Sequence, residues 1–145
     1  MEDEYPTCAQ TYATLRIYPE RLDPTEVTAR LGIAPSSWQR RGEVPNPGSK
    51  RPLPATLDAW FLTTNGVVES RDVRRHLDWL LARVGPTVDA LRALRAEGCR
   101  MDVSCYWLSR SGHGGPVVTA AQMGELAQLG LELWFDVYFV GSDDA

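Results

Sequence analysis

Three groups of residues in this chain are of types that do chemistry. The first is the run Trp38-Gln39-Arg40-Arg41-Gly42-Glu43. Two guanidinium forks beside an indole could pair bidentately with a phosphate or carboxylate, or could be solvated or bridge local carboxylates instead. The second is the loop Ser109-Arg110-Ser111-Gly112-His113-Gly114-Gly115-Pro116. Its glycines would let backbone N–H groups approach an anion, and His113 could move protons. No Lys-Ser/Thr follows the glycines, so it is not a P-loop, and the chain has no G-x-S-x-G nucleophile elbow. A flexible connection is the plainer reading. The third group is Asp58, Asp102, Glu132 and Asp136. A close pair among them could do acid–base work or hold a metal, whereas Arg16 in their midst points to an ion-pair network.

The remaining candidates for chemistry are thinner. Cys8, Cys99 and Cys105 are odd in number and form no C-x-x-C, which suits reduced thiols in a cytoplasmic protein. A metal set of Cys99, Cys105 and His113 is the alternative to that reading, but no metal and no cofactor is expected. His76 and His113, the two histidines, leave little material for histidine catalysis. The 15 Lys and Arg against 19 Asp and Glu give a net charge of −4, the wrong sign for a nucleic-acid backbone as main partner. The acidic start Met1-Glu2-Asp3-Glu4 is unlike a secretory signal, and no apolar run reaches the ~18 residues of a membrane span.

These residues must be positioned by elements that 145 residues can build in one domain. A polar lead, 1–10, reads as flexible, and Thr11 to Tyr18 alternates as strand one. Asp23-Pro24-Thr25-Glu26 starts a helix that Gly32 ends. Residues 34–56 hold five prolines and form a long loop, with room for no more than a turn or a short edge strand. Leu57 to Thr63 is strand two, Ser70 caps a helix to Val84, and a second helix runs from Thr87 to Glu97. Met101 to Ser109 is strand three, Thr119 and Gln122 form a capping box for a helix to Leu129, and Leu131 to Val140 is the last strand. An acidic tail, 141–145, closes the chain. The order β-α-β-αα-β-α-β gives an α+β domain over 11–140. It predicts a four-stranded sheet with helices on one face, ferredoxin-like in spirit with the two middle helices inserted. Leu31-Gly32-Ile33 and Leu129-Gly130-Leu131 suggest a weak internal duplication.

Strand parity then separates two faces. Leu131, Leu133, Phe135, Val137 and Phe139 are uniformly apolar and should meet the helices, with Ala13, Leu15, Ile17, Leu57, Ala59, Phe61, Val103, Cys105 and Trp107. The far face collects Tyr12, Tyr18, Trp60, Tyr106, Trp134 and Tyr138, among Arg16, Asp58, Asp102, Glu132 and Asp136. Six large rings need a cover. The Pro-rich segment with Trp38, a second copy of the chain, or a ligand in a cleft could each supply it.

The successive segments Thr11 to Tyr18 with Leu22-Asp23-Pro24, Trp38 to Glu43, Cys105-Tyr106-Trp107-x-Ser109, Gly114-Gly115-Pro116 and Phe135 to Phe139 together resemble the bacterial domain-of-unknown-function family DUF4279. Residues 44–56 match none of its motifs. The resemblance implies a small stand-alone cytoplasmic domain and supplies no activity, cofactor or catalytic residue. The reading is a binding or interaction module, more a partner protein of immunity or regulatory type than an enzyme. It would use Arg16, Trp38, Arg40, Arg41, Trp60, Tyr106, Ser109, His113, Trp134 and Asp136 to bind a protein partner, itself as a homodimer, or a small molecule. The alternative is a small-molecule enzyme or sensor in which Arg16, Arg40 or Arg41 holds an anion, and Asp102, Asp136 or His113 handles protons.

Overall fold

A computed structural model describes residues 1–139. The expected acidic tail, 141–145, and the last residue of the expected final strand, Val140, lie outside the described residues. One mixed sheet runs in the order β2-β3-β1-β4-β5. Its strands are β1 (Cys8–Tyr18), β2 (Ser37–Gln39), β3 (Ala59–Thr63), β4 (Arg100–Ser109) and β5 (Glu132–Phe139). The helices α1 (Pro24–Leu31), α2 (Val73–Val84), α3 (Val88–Ala96) and α4 (Ala120–Leu129) connect them. β1 pairs antiparallel with β3 and β4, and β4 pairs parallel with β5.

The sheet therefore has five strands rather than four. The added one, β2, is a three-residue edge strand inside the Pro-rich segment. The order also departs from a ferredoxin-like sheet, because α4 joins the adjacent parallel strands β4 and β5 without a strand between them.

Local chemistry explains the element ends. Asp23 caps α1 by accepting from the Thr25 N–H at 3.0 Å, with Pro24 in the first turn. Thr119 and Gln122 cap α4 reciprocally, at 3.0 and 3.1 Å. Gly32 and Gly130 close these two helices at φ of 68° and 69°, a left-handed turn that glycine adopts without steric cost. The cap of α2 is Asp72 rather than Ser70. Its carboxylate accepts the Arg74 N–H at 3.0 Å, while the Ser70 hydroxyl, two residues earlier, accepts the Asp72 N–H. The lead before β1 is tied down: Arg71 donates its N–H to the Asp3 carbonyl, and Tyr5 its hydroxyl to the Gly115 carbonyl.

The core lies on one side of the sheet. Ala13, Leu15, Ile17, Val103 and Cys105 pack against Val27, Leu77, Leu80, Leu91, Leu94 and Leu126 of the helices. β3 corrects the parity expected of it. Trp60 and Leu62 stand opposite Ile17 and Leu15 and are buried, while Phe61 stands opposite Arg16 on the other side. β5 corrects a second expectation. Leu131 is buried and Leu133 packs partly against the core, but Phe135, Val137 and Phe139 are exposed. The buried stripe of α4, Gln122, Leu126 and Leu129, covers only the start of that strand's helix side. No helix among the described residues is long and apolar enough to cross a membrane.

Candidate functional site

No segment among the described residues covers the side of the sheet away from the helices. Every residue that β1 and β4 present there from Tyr12 to Tyr18 and from Asp102 to Leu108 keeps partial solvent contact, while the intervening residues are buried. The register arranges this face in rows. Tyr12 and Tyr106 are direct partners and their rings stack at 4.8 Å. The Tyr138 ring lies 5.3 Å beyond Tyr106, so three phenols run across β1, β4 and β5. Thr14, Ser104 and Trp134 make the next row, and Phe61, Arg16, Asp102 and Glu132 the one after.

Electrostatics within the face are mostly settled internally. Arg16 grips Asp102 bidentately at 2.7 and 2.8 Å, which occupies the fork that could have held an anion. Asp136 follows Tyr106 in register and raises the Tyr138 hydroxyl above its ordinary pKa by its negative charge and by hydrogen bonding. Burial, together with the neighbouring Tyr106 and Asp136, raises Tyr12. At one end of the face Arg100 and Arg16 both lie over the Tyr18 ring, at 5.7 and 6.0 Å. Two clefts open there. One, of about 500 Å³, is lined by Tyr18, Arg95, Arg100, Asp102, Glu132 and Trp134. The other, of about 410 Å³, shares Tyr18 and Arg100 and adds Arg41 and Asp58.

Of the residues singled out from sequence, Arg16, Tyr106, Trp134 and Asp136 come together on this face. Trp60 does not. It is fully buried on the helix side and donates its indole N–H to Thr28 at 2.9 Å. Trp38 is the ladder partner of Trp60 and so stands on the helix side too, under the Arg40 guanidinium at 4.6 Å. The Pro-rich segment thus borders β3 as an edge strand instead of crossing the aromatic face. Arg40 is committed to Asp23 at 2.6 Å, and it holds that carboxyl far below the usual range. Arg41 reaches the second cleft, next to Asp58, which accepts its backbone N–H at 2.7 Å.

The glycine loop is a built turn. The Ser109 hydroxyl accepts the Gly112 N–H at 2.9 Å and donates to the His113 carbonyl at 3.0 Å. Gly112 sits at φ 82°, and a Cβ there would meet the Phe139 ring at 2.7 Å, so this glycine serves a close approach to the end of β5. His113 is exposed, and its ring meets the Ser111 hydroxyl at 2.9 Å. The three cysteines are buried free thiols, and burial pushes Cys105 up to about 12. Among the described residues no three His, Cys, Asp or Glu side chains converge on a point.

Three residues outside the candidate set complete the site. Tyr12 and Tyr138 follow from strand parity. Arg100 lies one residue before the expected start of strand three and continues that strand's alternation. Comparison with curated proteins and with solved structures gives no match. Residues 9–140 match the family model of a domain of unknown function, DUF4279, and the chain belongs to that family.

Proposed function

We propose that this chain is a binding module whose working surface is the bare aromatic face of its sheet, and that the occupant is a protein. The observation that carries this reading is the row Tyr12, Tyr106 and Tyr138 with Trp134 beside it, all in contact with solvent on a face that no other segment among the described residues covers. Large rings with polar tips anchor protein interfaces at small entropic cost. Asp136 and Glu132 at the margin would meet basic groups on the partner, in keeping with a net charge of −4. Reduced, buried thiols fit work in the cytoplasm, as a regulatory or immunity-type partner. The test is capture from a cell extract by the native chain and by Tyr12→Ala/Tyr106→Ala. The native chain should retain a partner that the variant loses at unchanged circular dichroism. Equal capture by both would contradict the reading.

The paired clefts at Tyr18 and Arg100 support a second reading, a small anionic ligand held at Arg100 and Arg41. Their volumes fall within the range of small-molecule sites. A thermal-shift screen of phosphorylated and carboxylated metabolites tests it. A ligand at 100 times its Kd adds about 2.7 kcal/mol, and Arg100→Ala should abolish that gain.

A further inference from the structure

Among the described residues β5 is an open edge of the sheet, paired with β4 on one side only. Trp134, Phe135, Val137, Tyr138 and Phe139 along it are all between 39% and 58% exposed, with the apolar residues bare on both faces. Proteins blunt such edges with lysine, proline, bulges or a covering loop. Among residues 132–139 none of the first three is present, and Gly112 of the glycine loop lies against Phe139 at the end of the strand. The opposite edge is treated differently: it ends in the three-residue β2, which pairs with β3 and lies in a proline-rich segment. The unpaired N–H and C=O groups of β5 are a template for one more strand.

We propose that this strand is β5 of a second copy, so that two chains join antiparallel about a two-fold axis normal to the sheet. The charges of the strand choose the register. In such a pairing residues opposite one another share a face, and their numbers sum to twice the number of the residue on the axis. An axis at Asp136 sets that carboxylate against itself, and an axis at Trp134 sets Glu132 against Asp136 twice; like charges directly opposite are destabilising. Axes at Leu133, Phe135 and Val137 have neither fault, and of these the axis at Phe135 uses the longest stretch of the strand, Glu132 to Tyr138. Phe135 then meets Phe135, and Leu133 meets Val137, on the helix side. On the other side the Trp134 indole N–H meets Asp136, and the Tyr138 hydroxyl meets Glu132, each a donor facing an acceptor. The joined sheet has ten strands and carries the aromatic face twice on one continuous surface.

Sedimentation equilibrium of the purified chain at up to about 100 μM tests the pairing. The expected mass is about 32 kDa, twice the 16.1 kDa chain. Val137→Lys, at an exposed position, should give the monomer with an unchanged far-ultraviolet spectrum, whereas Tyr106→Ala should stay dimeric. Phe135→Cys should oxidise to a disulfide-linked dimer, since opposed Cα atoms lie about 4.5–5.5 Å apart. Asp136→Cys should not, and the native thiols are buried. A monomeric native chain overturns the proposal, as does a dimer that survives Val137→Lys. A dimer lost in Tyr106→Ala but kept in Val137→Lys would overturn it too, by placing the contact on the aromatic face.

Discussion

Trp60 and Trp134 are the same residue type on strands of one sheet, and their environments set opposite expectations. Trp60 fills the core between β3 and α1, so Trp60→Ala should cost about 3–5 kcal/mol in urea unfolding. Trp134 is 57% exposed, so Trp134→Ala in the monomer should change stability by about 1 kcal/mol or less. Equal losses would mean that the faces are assigned wrongly. His76 gives a second residue-scale expectation. It is buried, with Nε2 2.7 Å from the Ser70 carbonyl and Nδ1 2.6 Å from the Thr64 hydroxyl. This fits a neutral ring that donates from Nε2 and accepts at Nδ1. Burial lowers its pKa from 6.5, so below that value the unfolded chain takes up a proton that the folded chain refuses. Stability should therefore fall on acidification from pH 7 to 5, by at most about 1.4 kcal/mol per pH unit from this group. In His76→Gln the fall should flatten; an unchanged slope would assign it elsewhere. Asp72 extends the trend: burial would raise its carboxyl, but hydrogen bonds from Arg74 and Glu2 prevail and hold it at about 2. Its stabilising contribution is present above pH 3.8 and is lost as the pH falls toward 2.

At the scale of elements, the parts legible in the sequence are those decided within a few residues. The Asp23-Pro24 start, the Thr119–Gln122 box and the Leu-Gly ends of α1 and α4 are local hydrogen-bonding devices, and the folded chain uses each of them as read. The alternation of β1 is equally plain, because apolar and polar residues take turns there; β4 is less clean, since Cys105-Tyr106-Trp107-Leu108 does not alternate in polarity. β3 was not legible: Ala59-Trp60-Phe61-Leu62 is apolar at every position, so composition cannot say which side faces the core, and only the register with β1 decides it. β5 fails for another reason. Alternation says toward which side Phe135 and Val137 point, but not whether a helix extends over them. The place of Trp38 depends on β2 pairing with β3, which three residues in a proline-rich run scarcely announce. Asp23 links these elements, since it caps α1 and also anchors Arg40 beside β2. Asp23→Ala should cost about 1–2 kcal/mol and speed proteolysis within 44–54, seen as earlier cleavage by mass spectrometry. Loss of stability without faster cleavage would mean that the loop is held from elsewhere.

For the whole molecule, the asymmetry of the sheet is the central fact: helices over a core on one side of β3, β1 and β4, rings and hydroxyls open to solvent on the other. Arg16 and Asp136, on strands of clean parity, stand on the face read for them from sequence; Tyr106 does too, although the parity of β4 is less clean, and Trp60 stands on the other. Hydroxyl-radical footprinting of the purified chain, and of the chain in extract, tests the claim most directly. Tyr12 and Tyr106 should label readily in the purified chain while Trp60 and Trp107 resist, and extract should protect the two tyrosines. Labelling of Tyr12 and Tyr106 that is the same in both conditions, or as slow as that of Trp60, would contradict it.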